Sequence, residues 1–235
     1  MKLRLLAVAL AAITLAGTAA AQDTTSEKGK LSYAIGYNTG SELSDLSSRG
    51  EAIDINTVVK ALQDAYAKKP PTVAVDQLRT AVESMQKRQM AKAKAAFDKA
   101  SGENKSKSDA FLAQNKAKSG VKTLPSGVQY RIVENGTGAK PSANSDVQIQ
   151  YKGNIANGPT FVDTTVAQQG QPAGPVTLKM SQIPLVGLRE ALALMPTGSR
   201  WEVVLPADKA YGNTPQSPIG PNQAVVFDVK LVSVK

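Results

Sequence analysis

The sequence predicts an α+β protein: a helical amino-terminal arm that ends in one long spacer helix, followed by an antiparallel β domain with one short helix. Three observations predict this. Between Lys28 and Lys118 apolar residues recur at helical spacing, no proline occurs between Pro71 and Pro125, and after Gly120 short β-type runs alternate with turn residues. The chain is long enough for two modest domains.

Residues 1–21 have the three-part pattern of a cleavable signal peptide. Lys2 and Arg4 precede an apolar run from Leu5 to Ala16, and small residues follow that run. The run is too short to cross a bilayer, and no later stretch approaches the roughly 18 apolar residues that a membrane helix needs. We therefore expect a periplasmic protein without an integral membrane segment in the mature chain. Further transport to the surface or the medium stays open.

The composition excludes several kinds of chemistry. The chain has no histidine and no cysteine, so it lacks the usual general base near neutral pH, a thiolate nucleophile, disulfides and the common soft metal ligands. Without Lys2 and Arg4, the chain has 26 basic and 19 acidic residues, which gives a net charge of +7. The lysines between Lys87 and Lys122 are mixed with alanine, serine and glutamine, which is typical of a solvated helix. We expect no nucleic-acid partner, no metal and no cofactor.

Residues 22–74 are predicted to form a helical dimerisation region. Leu31, Ile35 and Thr39 recur at helical spacing, and Asp54 stands where it can cap a second helix. Two short helices have too little surface for a stable core, so burial against a second copy is the expected solution. The alternative is that they fold back on the long helix of the same chain.

Residues 75–118 are predicted to form that long helix, which begins near Val75 after the break at Pro70–Pro71. Roughly 43 residues of α-helix would be about 65 Å long, which is far beyond the diameter of a small domain. The stretch Ala91–Ala100 is rich in alanine and lysine, which favours helix but gives little to a core. Ser101–Gly102 is the expected weak point or bend.

Residues 119–235 are predicted to form the β domain. The short β-type runs are separated by turn residues, and one apolar segment has the spacing of a helix, Leu185–Met195. The predicted strands are Val128–Val133, Val147–Tyr151, Trp201–Leu205 and Ala224–Val232.

Several short motifs occur in a fixed order in this domain: Leu124–Tyr130, Tyr151–Gly153, Asn157–Gly158 before Phe161, Leu194–Gly198, Ala210–Gly212, Ile219–Asn222 and Val226–Val229. Their order and spacing resemble the FKBP family of peptidyl-prolyl cis/trans isomerases. The arm motifs Leu31–Tyr37 and Phe111–Asn115 are similar to the helical arm of bacterial macrophage-infectivity-potentiator-like members. The resemblance covers nearly the whole mature chain.

The resemblance implies a half-barrel sheet wrapped over a short helix, with an apolar pocket that takes a proline ring. It implies that the Leu185 backbone N–H and the Tyr211 hydroxyl are donors, that Asp163 is a third catalytic residue, and that Leu188 forms the pocket floor. For each aromatic or aliphatic residue, ordinary core packing is the alternative. The implied substrate-binding residues are Tyr151, Phe161, Pro184, Leu188, Ile219 and Phe227.

Three departures from the family pattern concern the pocket. Val162 stands where an aspartate usually follows the pocket phenylalanine, and on a regular strand Asp163 would face the opposite side unless a bulge intervenes. Leu188 replaces the common tryptophan floor, and Ala173–Leu178 lacks the aromatic residue often found on the rim. The single tryptophan, Trp201, falls outside the expected pocket. We expect a shallower pocket, moderate or low activity and weak binding of the family's macrolide inhibitors.

The predicted function is that of an exported peptidyl-prolyl cis/trans isomerase that acts on proline-containing segments of envelope or secreted proteins. The alternative is a dimeric holdase chaperone or binding module that keeps the fold without useful catalysis. The pocket separates the two hypotheses: an open apolar cavity permits catalysis, and a filled one leaves binding alone.

Overall fold

The computed structural model describes residues 23–167, 170 and 172–235. The predicted signal peptide lies outside these residues. The chain divides into two compact units between Gln86 and Lys87, within one long helix. Among the described residues, no helix combines the length and the apolar character that crossing a membrane requires.

The amino-terminal unit contains helices α1 (Glu27–Ser48) and α2 (Ile55–Tyr66) and the start of α3 (Val75–Lys116). Ser26 caps α1 by accepting a hydrogen bond from the Gly29 amide, and Asp54 caps α2 by accepting one from the Asn56 amide at 3.0 Å. The helical arm and the long helix after Pro70–Pro71 agree with the sequence-based prediction.

Helix α3 continues without a break through Ser101–Gly102, where the sequence predicts a weak point. Its carboxyl-terminal part also differs from a solvated spacer, because Ser101, Ser108 and Asn115 are buried. The Asn115 side chain, for example, donates a 2.9 Å hydrogen bond to Gln129 of the β domain. Residues 101–115 therefore pack against the β domain, with which residues 87–116 form one unit.

The β domain has seven antiparallel strands in one sheet, with the order β1-β2-β6-β7-β3-β4 and with β5 paired to β3. The central strands β3 and β7 are ten residues long, which matches the strongest alternating runs in the sequence. The strands are β1 (Val121–Thr123), β2 (Gln129–Glu134), β3 (Asp146–Ile155), β4 (Thr160–Asp163), β5 (Val176–Lys179), β6 (Arg200–Leu205) and β7 (Val225–Val234).

The short helix α4 (Val186–Leu192) packs on the sheet through Gly187, Leu188, Ala191 and Leu192, all of which are buried. A side chain at Gly187 would collide with its neighbours, since a Cβ built there would lie 2.8 Å from Leu205 Cδ2. The absence of a side chain at Gly187 thus allows close contact between α4 and the sheet. One hydrophobic core joins α4 to the inner faces of β2, β3, β6 and β7.

Candidate active site

Four aromatic rings from distant parts of the chain meet at the hydrophobic core that α4 also joins, and we call them the aromatic cluster: Tyr151, Phe161, Tyr211 and Phe227. Phe227 lies at the centre, with its ring centroid 5.8 Å from Phe161 at 88° and 6.1 Å from Tyr151 at 59°. Phe161 and Tyr211 meet edge to face, with centroids 5.7 Å apart. Such tilted contacts are the favoured geometry of aromatic pairs. The structure therefore brings these four predicted site residues together.

Gly153 of β3 makes room for the cluster. A Cβ at this position would lie 2.7 Å from Phe227 Cε1, 2.7 Å from Val162 Cγ1 and 2.9 Å from Phe161 Cζ. Any side chain at Gly153 would displace one of these groups. The contacts also show that Val162 and Phe161 lie on the same side of β4 as the cluster, next to a β-bulge in the pairing of β3 with β4.

Leu185 and Leu188 belong to the same hydrophobic core as these rings. Leu188 of α4 is 4% exposed, and Leu185 is the residue that precedes the first turn of α4. The Leu185 carbonyl accepts the amides of Leu188 and Arg189, whereas no described residue accepts a hydrogen bond from the Leu185 N–H. A backbone donor thus stands at the start of α4, as the resemblance implies.

Tyr211 and Ile219 belong to the segment between β6 and β7. Both are partly buried and packed against the core. Burial raises the pKa of the Tyr211 hydroxyl above its ordinary value, and the nearby Tyr151 raises it further. Burial also raises the pKa of Tyr151. Both hydroxyls are therefore protonated near neutral pH and can donate hydrogen bonds.

The structure does not bring Asp163 to the aromatic cluster. In the β3–β4 register Val162 stands opposite Gly153, and Asp163 stands opposite Lys152 on the other face of the sheet. The carboxylate accepts hydrogen bonds from the Thr165 amide (2.9 Å) and hydroxyl (2.6 Å) and lies 3.6 Å from the Lys152 ammonium. The bulge precedes Val162, so it does not return Asp163 to the inner face. The register thus places Asp163 away from the aromatic cluster, as expected for a strand in which no bulge follows Val162.

These polar contacts keep Asp163 ionised. The hydrogen bonds from Thr165, followed by the charge of Lys152, hold the pKa of the carboxyl below its usual value. Asp163 therefore stabilises the turn after β4. On the inner face, the apolar Val162 occupies the position where the family usually has a carboxylate.

Pro184, another predicted site residue, is exposed in the loop before α4. Thr164 was not predicted, yet it ties the chain after β4 to Tyr151: its hydroxyl accepts the Tyr151 amide at 2.9 Å, and its amide donates to the Tyr151 carbonyl at 2.9 Å. A single threonine after a short strand gives no sequence signal for this contact. Trp201 stacks on Tyr130 at 4.5 Å, outside the cluster.

The arrangement suits non-covalent chemistry. The cluster is apolar apart from the two tyrosine hydroxyls. Within the part of the chain that the structure describes, no group of three or more acidic side chains could hold a metal ion. Such a site can bind a compact apolar ring and offer donors to a neighbouring carbonyl.

The chain is similar to known proteins over nearly its whole length. Residues 137–232 match the family profile of FKBP-type peptidyl-prolyl cis-trans isomerases, and residues 28–132 match the domain amino-terminal to such isomerases. The outer membrane protein MIP of Legionella longbeachae is 42% identical over 100% of this chain and 99% of its own. The peptidyl-prolyl cis-trans isomerase Mip of Coxiella burnetii is 35% identical over 89% of this chain and 87% of its own.

The crystal structure of FkpA from Escherichia coli has a similar fold. It aligns with a TM-score of 0.64 and 26% identity over 90% of this chain and 98% of that one. The two profiles together span the helical arm and the β domain, and the relatives match along nearly their full length. The chain therefore belongs to the FKBP-type peptidyl-prolyl cis-trans isomerases that carry a Mip-like amino-terminal domain.

Proposed function

We propose that the aromatic cluster is the isomerase site of this chain. The X-Pro amide has a rotational barrier of about 18–20 kcal/mol because twisting it breaks the resonance of the planar bond. No covalent bond has to form or break, so a catalyst needs only to favour the twisted amide over the planar one. This explains how a chain without histidine or cysteine can be an enzyme.

The observation that carries this proposal is the meeting of four rings from β3, β4, β7 and the β6–β7 segment at one hydrophobic core. In the proposed complex the proline ring lies on Leu188 among Tyr151, Phe161 and Phe227. An apolar surrounding disfavours the more dipolar planar amide relative to the twisted one. The aliphatic floor at Leu188 gives less contact area than a tryptophan would, which supports moderate activity.

Two donors hold the substrate in its turned shape. The Tyr211 hydroxyl is kept protonated by its raised pKa, and the Leu185 N–H has no partner among the described residues. Donors that are already oriented stabilise the twisted amide without reorganising during the reaction. Asp163, on the other face of the sheet, has no direct part in this mechanism.

The client class follows from the proposed location. The amino-terminal pattern of residues 1–21 and the relative named outer membrane protein MIP both support export to the periplasm. The proposed substrates are proline-containing segments of envelope or secreted proteins during folding. Cell fractionation with an antibody to the mature chain tests the location, and recovery of the unprocessed chain in the cytoplasm would contradict it.

A homodimer through the arm is part of the proposal. An apolar stripe at helical spacing on α2 is exposed in the single chain: Leu62 is 55% exposed and Tyr66 94%. Ile55 and Val59 continue this stripe, and Leu31 and Ile35 are exposed on α1. Large apolar surfaces of this kind mark protein interfaces. A second copy of the chain is the proposed partner.

The competing proposal is a holdase that uses the same fold without catalysis. One observation favours the holdase: Val162 presents an apolar side chain where the family usually has a carboxylate. Refolding of a model protein limited by X-Pro isomerisation separates the two hypotheses. An isomerase at substoichiometric concentration accelerates the slow phase, whereas a holdase suppresses aggregation at stoichiometric concentration and leaves that phase unchanged.

A further inference from the structure

A row of polar side chains on α3 is bonded to the loop of residues 213–222, which follows Tyr211 and leads into β7. We call Ser101, Asn104 and Ser108 the α3 polar row. Their spacing of three and four residues places them on one face of the helix. The hydrogen bonds run from Ser101 Oγ to Asn213 Oδ1 (2.9 Å), from Asn104 Nδ2 to Pro221 O (2.9 Å) and from Ser108 Oγ to Asn222 O (2.8 Å).

Ser108 bridges two successive parts of the loop end. Its hydroxyl donates to the Asn222 carbonyl and accepts the Ala224 amide at 2.8 Å. Ser108 is 5% exposed and Ala224 is fully buried, so water cannot easily replace either bond. Loss of this hydroxyl would leave the buried Ala224 amide and the partly buried Asn222 carbonyl without this partner.

Asn222 adopts a left-handed backbone conformation, which asparagine tolerates, and the α3 polar row bonds to it there. Its φ of 54° lies in the left-handed region, which a residue other than glycine adopts where its surroundings impose it. The Asn222 side-chain amide donates to Ser101 Oγ at 2.8 Å, and the Asn222 backbone N–H donates to the Gly212 carbonyl at 3.0 Å. The last of these bonds closes the loop beside Tyr211.

The loop itself reaches the aromatic cluster. Ile219 packs against the core together with Tyr211, and the Ser217 hydroxyl donates to the Gly220 carbonyl at the turn next to Ile219. The loop has no regular secondary structure between Tyr211 and β7. Its conformation therefore depends on its own turns and on the external bonds from α3.

We infer that Ser101, Asn104 and Ser108 are positioning residues for the isomerase reaction, because they fix the loop that sets the places of Tyr211 and Ile219. This inference rests on the proposed role of the aromatic cluster. The carboxyl-terminal part of α3 then has a role in catalysis in addition to its role as a link between the arm and the β domain. A displacement of about 1 Å at a binding site is enough to lower catalysis substantially.

The test compares single variants of the whole chain. Ser101→Ala and Ser108→Ala remove the buried hydroxyls, and Asn104→Ala removes the half-buried amide with the least risk to folding. Asn115→Ala is the matched control, because Asn115 fastens the same helix to Gln129 of β2 and not to the loop. Ser106→Ala, which changes an exposed serine of α3, is a second control.

Two quantities are measured for each variant. The first is kcat/KM for cis/trans exchange of a short Xaa-Pro peptide, followed by NMR. The second is the hydrogen exchange rate of the Asn222 and Ala224 amides, which reports the loop conformation directly. We expect about a fivefold to tenfold loss of kcat/KM and faster exchange of both amides for Ser101→Ala and Ser108→Ala, and a smaller loss of the same kind for Asn104→Ala.

The controls decide whether the effect belongs to the loop. Asn115→Ala is expected to lower thermal stability while kcat/KM and the two loop amides stay at parent values. Equal losses of kcat/KM for Asn115→Ala and the α3 polar row, or parent activity in all three row variants, would overturn the inference. An inactive parent would instead overturn the proposed function, and the two amides in the same samples would still decide whether α3 holds the loop.

Discussion

The Phe161 ring of β4 meets the Tyr211 ring edge to face, with centroids 5.7 Å apart and ring planes at 84°. Phe161 also meets Phe227 at 88°, so one side chain links the hydroxyl-bearing turn after β6 to the centre of the core. This contact restrains the Tyr211 ring, while the row of bonds from α3 restrains the loop that follows it. The predictions below separate these contributions.

Substitutions of two adjacent residues on β4 are expected to differ in their effect on catalysis. Asp163→Asn should leave kcat/KM for an Xaa-Pro peptide within about twofold of the parent, because the carboxylate lies on the face opposite the cluster. Val162→Ala should lower kcat/KM about threefold to tenfold, because it leaves a gap beside Phe161 and Phe227. Peptide exchange measured by NMR checks both. A larger loss for Asp163→Asn than for Val162→Ala would refute the assignment of faces.

Asp163 is expected to contribute to stability above its unfolded pKa of about 3.9. Its folded pKa is lowered, mainly by the Thr165 hydrogen bonds, so its contribution is present above the unfolded value and is lost as pH falls through the folded one. The free energy of unfolding should therefore fall more steeply below about pH 5 in the parent than in Asp163→Asn. Urea titrations from pH 7 to pH 3 measure the difference, and parallel curves would contradict it.

Catalysis is expected to be independent of pH through the neutral range. Tyr211 is the proposed donor, and burial raises the pKa of its hydroxyl above the ordinary value of about 10. The donor is therefore present through the neutral range, and its proton is lost only as pH rises through the raised pKa of the folded state. The rate of peptide exchange should stay level from about pH 6 to pH 9. In Tyr211→Phe any decline at alkaline pH should disappear. A titration of activity near pH 7 would point to a different donor.

The aliphatic floor is expected to limit affinity for the macrolide inhibitors of the family. Leu188→Trp should raise that affinity about tenfold, because an indole offers more flat contact area beneath the aromatic cluster. Calorimetric titration of parent and variant measures the change, and a thermal melt shows whether the larger side chain still fits the core. A parent that already binds as tightly as the folded variant would argue against a shallow pocket.

Dimerisation is expected to depend on the exposed stripe of α2. Leu62→Glu places a charge in that stripe and should convert a dimer of the mature chain into a monomer at micromolar concentration. Met90→Glu is the control, since Met90 is 73% exposed on α3 outside the stripe. Sedimentation velocity distinguishes the outcomes. Exchange of a short peptide should be unchanged in either variant, and a monomeric parent would disprove the dimer while leaving the isomerase proposal intact.

The longer elements were predictable from sequence, whereas the three shortest strands were not. Helix α3 follows from a long proline-free run rich in alanine and lysine, and strands β3 and β7 follow from alternating apolar residues. Strands β1, β4 and β5 have three, four and four residues, and each is defined by its pairing partner more than by its own pattern. Their positions depend on long-range pairing that a local pattern does not contain.

The site residues also divide into some that the sequence predicted and others that it missed. The cluster rings were predicted because they stand in motifs whose order resembles a family. The α3 polar row was missed because serine and asparagine on a lysine-rich helix are typical of a solvated surface. The helical spacing of these three residues, which Asn115 continues, is the signal that could have indicated a packed face of α3.

The most direct test of the central claim is cis/trans exchange of a short Xaa-Pro peptide, measured by NMR line broadening without a coupling protease. The parent, Tyr211→Phe and Phe227→Ala are compared, with the single tryptophan Trp201 as a fluorescence probe of folding. We predict acceleration by the parent, about a tenfold loss in Tyr211→Phe and a larger loss in Phe227→Ala. A folded parent that does not accelerate exchange, or a Tyr211→Phe variant as active as the parent, would contradict catalysis through this cluster.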